Sequence, residues 1–230
     1  NIEALKGISF EVQKGQTLAI IGNTGSGKST ILELIGRLYD VQKGDIKVDG
    51  KPIQSLNLNS LRSSIGFVPQ DPFLFSDSLR NNIKFGKNKA SDDEVKRASK
   101  MAVVHDNIIN FKNGYDTVLG ERGITLSGGQ KQRVSIARAF IKNPQILLLD
   151  DCLSAVDTET EEQILNNIEL VTKGKTTIIV SHRISSAKNA DMIVVLNNGI
   201  ITQQGAHQEL INVEGYYKEL YQNQLQEISS

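Results

Sequence analysis

The chain has 230 residues, 39% hydrophobic and 23% charged, enough to bury one sizeable globular core. With 26 Lys and Arg against 26 Asp and Glu it carries no net charge, so no global field draws its surface to nucleic acid or anionic lipid, and no nucleic-acid partner is expected. A single cysteine, Cys152, excludes an intramolecular disulfide, no apolar run approaches the ~18 residues of a spanning helix, and "NIEALKGISF" lacks the blocks of a signal peptide, which together point to the cytosol.

The first element is "ISFEVQKGQTLAI", read as a hairpin around Lys14-Gly15 whose second arm is the apolar "TLAII" (17–21). A Gly-rich loop and the helical "STILELIGRLYD" follow, then a second hairpin, "GDIKVDGKPI", with its turn at Asp49-Gly50. After the strand "IGFV" (65–68) the pattern changes, and from Gln70 to Asn143 only helices are expected. "SDDEVKRASKMAVV" opens with Ser91 and Glu94 at capping-box spacing, and "SGGQKQRVSIARAFIKN" runs to a stop at Pro144. Three more apolar strands come next: "ILLLD" (146–150), "TTIIV" (176–180) and "MIVVL" (192–196). The last enters a hairpin at Asn198-Gly199, and "EGYYKELYQNQLQEISS" closes the chain as a helix. Strands this apolar along their whole length, separated by helices, imply a mainly parallel sheet covered on both faces.

The loop "GNTGSGKST" fits G-x-x-x-x-G-K-[ST] at Gly22, Gly27, Lys28 and Ser29, between a strand and a helix as that motif requires. Its backbone N–H groups, from Asn23, Thr24, Gly25 and Ser26 through to Thr30, would curl around phosphate oxygens. Lys28 would bridge the β- and γ-phosphates, and the Ser29 hydroxyl would meet Mg²⁺. Asp150, ending the strand "ILLLD", supplies the acid that holds Mg²⁺ through water. A nucleoside triphosphate with Mg²⁺ is therefore expected, on a P-loop NTPase α/β fold with an antiparallel β subdomain and an inserted helical subdomain. The expected division is one domain, 1–230, with core and β subdomain in 1–70 and 144–230 and the helical part in 71–143.

"LSGGQ", Leu126, Ser127, Gly128, Gly129 and Gln130, adds a further motif. Together with the phosphate loop, Gln70 in "FVPQDPFLF", "LLLDD", "SAVD" and His182 in "IIVSHR", it makes the chain resemble the nucleotide-binding domain of an ATP-binding cassette (ABC) transporter over nearly its whole length. "GERG" (120–123) and "QDPFLFSDSLRNNI" resemble exporters in particular, with Phe73, Leu74 and Phe75 as candidates for contact with a membrane domain or for the core. The resemblance implies that the triphosphate is ATP, and it implies a soluble domain at the cytoplasmic face of the cell membrane, joined to a transmembrane domain and pairing head to tail with a second nucleotide-binding domain. In such a pair Ser127 to Gln130 face the partner's γ-phosphate. Gln70 touches Mg²⁺ and the attacking water, His182 the γ-phosphate, and Asp157 the dimer seam. His105 and His207 have no such role and are expected to be structural. The family's adenine-stacking aromatic is expected upstream of Asn1, in a longer polypeptide.

One position departs from the pattern. Where the family places Glu after the Mg²⁺ aspartate, this chain has Asp151, one methylene shorter, which draws the carboxylate back by ~1.5 Å. The expectation is a site that binds Mg-ATP and hydrolyses it slowly, in a heterodimer whose other half carries Glu. The alternatives are a homodimer that uses Asp151 as its base, a non-transport ABC ATPase of DNA repair or translation, and a purely ATP-sensing module.

Overall fold

The computed structural model describes residues 3–120 and 125–229. Its centre is a six-stranded sheet built from β1 (Thr17–Gly22), β4 (Ile65–Val68), β5 (Ile146–Asp150), β6 (Thr176–Ser181), β7 (Met192–Asn197) and β8 (Ile200–Gly205), in the order β4-β5-β6-β1-β7-β8. All pairs are parallel except the hairpin β7–β8. Its turn residues Asn198 and Gly199 both have positive φ, 48° and 80°, as a two-residue hairpin of this twist requires. A small antiparallel pair, β2 (Lys47–Val48) with β3 (Lys51–Pro52), turns at Asp49-Gly50 in the same way.

The expected hairpin at Lys14-Gly15 forms only its turn, and residues 8–13 make no strand. The reason lies in the sheet. β1 is already flanked by β6 on one edge and β7 on the other, so no edge is left for an antiparallel partner. The alternation survives nonetheless: Ile8, Phe10 and Val12 are partly buried against the core while Ser9, Glu11 and Gln13 are exposed.

Strand alternation divides the interior into layers. Leu18 and Ile20 face α1 (Lys28–Ile35) through Ile31, Leu32 and Ile35, whereas Ala19 and Ile21 face Ile184, Ala187 and Tyr217. Between Gln70 and Asn143, α3 (Leu79–Lys84), α4 (Asp92–Met101), α5 (His105–Ile109) and α6 (Gly128–Ile141) follow a short α2 (Leu58–Ser64), and the described residues there add a 3-10 turn, Gly114–Asp116, and an isolated bridge, Ser78 to Val118. Ser91 and Glu94 form the anticipated capping box. Arg138 of α6 ties the segment together, donating to the Asn82 carbonyl (2.8 Å), the Asn82 side-chain oxygen (3.0 Å) and the Phe73 carbonyl (2.8 Å). The "GERG" segment lies outside the described residues beyond Gly120. Among the described residues no helix is long and apolar enough to cross a membrane.

α7 (Thr158–Thr172), α8 (His207–Leu210) and α9 (Tyr216–Ser229) complete the outer layer. α9 docks through Tyr217, which is fully buried. Burial pushes its phenol up to about 12, so the hydroxyl stays protonated, and it is hydrogen-bonded to His207 Nδ1 at 2.8 Å. His105 is paired likewise with Tyr115. Burial, and then Lys188, lower the His207 pKa below its ordinary value. A folded pKa below the unfolded one means the unfolded chain binds the proton more readily, so this contribution to stability is present above the ordinary imidazole range and lost as pH falls through it. Thermal melting is expected to shift downward between about pH 7.5 and about pH 5.5, and by less in His207→Gln, whose neutral amide can still accept from Tyr217.

Candidate functional site

Parallel pairing in register brings the site together. Ile21 of β1 lies beside Ser181 of β6, and Val180 beside Asp150 of β5, so the carboxyl ends of three central strands deliver the glycine loop, His182 and the acidic pair to one edge. The loop Gly22 to Gly27 is locked to the fold by backbone. Gly22 has φ 157°, and a Cβ there would come within 2.1 Å of the Leu196 carbonyl. Gly25 (φ 78°) has open space where a side chain would sit, and Asn23, Thr24 and Gly25 are exposed, leaving the concave face of the loop accessible. Ser26 is buried, with its hydroxyl unpartnered by protein.

Lys28 is 5% exposed, and its ammonium donates to the carbonyls of Gly22 (2.7 Å) and Asn23 (2.8 Å). An ammonium has three N–H donors, so one remains for another acceptor. Ser29 Oγ donates to Asp150 Oδ1 at 2.9 Å, which puts the two oxygen donors expected for Mg²⁺ in contact. Such donors suit a hard cation, and two protein ligands completed by phosphate oxygens are what Mg²⁺ commonly takes. Among the described residues no cluster of three or more His, Cys, Asp or Glu forms a protein cage for a metal.

The electrostatics are those of a site short of charge compensation. Burial lowers the pKa of Lys28 against the pull of Asp151 and Asp150, and raises that of Asp150 against the Ser29 hydrogen bond. Asp151 is raised by burial too, opposed by the charge and the backbone N–H of His182. His182 is held below its usual value by burial and then by Lys28. Its ring is thus neutral at physiological pH and able to donate from one nitrogen. Cys152, next in sequence, is a buried free thiol pushed well above its ordinary pKa and carries no thiolate chemistry.

The other residues singled out from the sequence lie around this centre. Gln70 is exposed just beyond β4, and its carbonyl accepts from Gln132 Nε2 at 3.4 Å. Gln132 Oε1 in turn accepts from Ala155 N at 3.3 Å. Leu126 is buried, Ser127 is the N-cap of α6 with Gln130 completing a capping box, and Gly128 and Gly129 lie against Ala155. None of the described hydrogen bonds joins Ser127 to Gln130 with the glycine loop of the same chain. Asp157 caps α7 by accepting from Thr160 N at 2.9 Å. Of the apolar trio, Phe73 is 67% exposed and Phe75 37%, whereas Leu74 packs on the core.

Three residues escaped the sequence reading. Gln132 is a buried amide linking Gln70, α6 and Ala155, and a polar side chain on the apolar face of "KQRVSIARAF" was the available signal. Glu161 is buried, accepts from Ser185 Oγ (2.7 Å) and Ser186 Oγ (3.2 Å), and pairs with Arg183. Its i, i+3, i+7 spacing with Ile164 and Ile168 marks it as inward-facing. The third, Gln224, left no signal in sequence.

The ABC transporter family matches residues 5–154. Over 222 residues the chain is 51% identical to ATP-binding cassette sub-family B member 6 of Xenopus tropicalis, covering 96% of this chain and 26% of that protein. It is 50% identical over 217 residues to a Staphylococcus aureus protein named for multidrug export as an ATP-binding/permease protein, covering 94% of this chain and 38% of that one. Among solved structures, a bacterial Atm1-family ABC exporter with ATP bound superposes with a TM-score of 0.92 at 46% identity, over 96% of this chain and 39% of that chain. The chain thus spans between about a quarter and two-fifths of the length of these relatives.

Proposed function

The chain belongs to the ABC transporter family, and from that premise we propose that it is the ATP-binding and ATP-hydrolysing domain of an exporter. In this reading it powers transport across a membrane by pairing head to tail with a second nucleotide-binding domain around ATP. The observation that carries it is the convergence at one sheet edge of Lys28, the Ser29–Asp150 contact, Asp151 and His182 around an open glycine loop. Residues 22–30 would hold the triphosphate, and Ser29, Asp150 and Gln70 would hold Mg²⁺, which would supply positive charge to the phosphate oxygens. The proposed division into a core (1–70 and 144–230) and a helical subdomain (71–143) is supported by the confinement of the described sheet strands to the former.

Asp151 makes this pocket the weak one of the pair. Its carboxylate is one methylene shorter than the Glu the family places there, and in this reading it falls short of the attacking water. Ser127 to Gln130 would complete the competent pocket of a non-identical partner bearing Glu at the corresponding position, with Asp157 at the seam. A groove of about 270 Å³ lined by Leu38, Phe67, Phe85 and Arg138, near exposed Phe73 and Phe75, is the proposed seat of the transmembrane domain, and the cytoplasmic face of the membrane is the proposed location. The intact His182 beside Asp151 favours a second reading, a homodimer in which Asp151 acts as base.

Titration of the assembled protein with a fluorescent ATP analogue and Mg²⁺ tests the pocket. Lys28→Ala removes a charge-assisted donor and is expected to weaken binding about tenfold. Unchanged affinity would overturn the assignment of the loop.

A further inference from the structure

β6 stops at Ser181, and from His182 onward the backbone leaves the sheet. Backbone polar groups away from water must still find partners. Arg183 N donates to Ser181 Oγ at 3.0 Å. Two more are met from α9: Gln224 Oε1 accepts from Ile184 N at 2.8 Å, and Gln224 Nε2 donates to the His182 carbonyl at 2.9 Å. One side-chain amide therefore grips the main chain on both sides of Arg183, from 42 residues away in sequence.

Both ends of this grip are anchored. α9 is seated by Tyr217, whose N–H donates to Gln203 Oε1 at 3.1 Å and whose ring packs with Ile184, Ala187, Ile193 and Val195. From the opposite side Glu161 holds Arg183, Ser185 and Ser186. No described hydrogen bond engages the His182 ring itself, so its aim is set through its backbone.

We propose that Gln224 is a positioning residue for His182: by fixing the His182 carbonyl and the Ile184 N–H it sets the direction of the imidazole, and so makes hydrolysis depend on the docking of α9. This rests on the reading of His182 as the γ-phosphate contact. A misplacement of ~1 Å in a reacting group can cost on the order of 100-fold, and partial loosening of a backbone held elsewhere by Glu161 should cost about tenfold.

The test uses the full-length assembly carrying Asp151→Glu, so that this pocket turns over in either subunit arrangement. Gln224→Ala is expected to lower kcat about tenfold with KM for ATP unchanged, and to speed hydrogen exchange at the Ile184 amide. Gln224→Glu keeps the acceptor for Ile184 N and loses the donor to His182, so its kcat should fall between the two. In a His182→Ala background, Gln224→Ala should cause no further loss. If His182→Ala leaves turnover unchanged, the reading of His182 fails and the positioning role falls with it. If His182→Ala lowers turnover while Gln224→Ala does not, or the two losses multiply, or the loss resides in KM, the positioning role alone is overturned.

Discussion

Asp151→Glu is expected to raise single-turnover hydrolysis in this pocket by about 100-fold, with ATP affinity unchanged. The backbone cannot compensate for the missing methylene. Asp151 N is bonded to the Val180 carbonyl at 2.9 Å, and the residue sits at φ 40°, a left-handed conformation that a shift toward the water would have to abandon. The side chain must therefore supply the reach, and Glu extends it by ~1.5 Å. Affinity is spared because Lys28, Ser29 and Asp150, which would hold the nucleotide and Mg²⁺, are other residues with their own contacts. An unchanged rate would sink the proposal of a weak pocket. The homodimeric reading predicts instead that the native chain alone hydrolyses ATP appreciably and that Asp151→Asn abolishes it.

Much of this fold was legible in the sequence because its central strands are buried on both faces. Uninterrupted apolar runs such as "TLAII" and "ILLLD" locate them to within a residue, and two of three hairpins follow from Asp-Gly and Asn-Gly turns. The third failed because a turn signal at Lys14-Gly15 says nothing about whether β1 has a free edge, which the pairing of distant β6 and β7 decides. The candidate site was legible where it is local, as in Gly22 to Ser29. It was opaque where a side chain acts across the fold: Gln132 and Gln224 take their meaning from backbone groups, and Glu161 from side chains, brought to them by packing. Asp157 and Gln130 show a further limit, since each performs an ordinary capping duty at the position the resemblance assigns to a dimer role.

Ser127→Phe should lower turnover in the partner's pocket by about 1000-fold while leaving ATP binding in this chain's own pocket intact. Ser127 is the exposed N-cap of a 14-residue helix, where unsatisfied N–H groups and the helix dipole favour an anion. Gln130 N is spent on Ser127 Oγ (3.2 Å), and Ser127 N on Gln130 Oε1 (3.0 Å). Among the described hydrogen bonds none uses the N–H of Gly128 or Gly129, so these two donors are open toward solvent, with no side chain to shield them. Gly129 cannot readily be replaced from behind, since a Cβ would meet the Ala155 carbonyl at 2.7 Å. A phenyl group at 127 would cover the open amides and hold off a phosphate. Ser127→Ala loses the cap, worth about 1 kcal/mol, without adding bulk, so it separates a stability loss from a blocked anion site. Turnover is measured as ATPase of the assembly with this chain's own Lys28 replaced, so that the partner's pocket alone is read, and binding in this chain's pocket as affinity for a fluorescent ATP analogue with Lys28 in place. Undiminished turnover with Ser127→Phe would mean that α6 does not complete that pocket, and would favour a domain that senses ATP without serving its partner's hydrolysis.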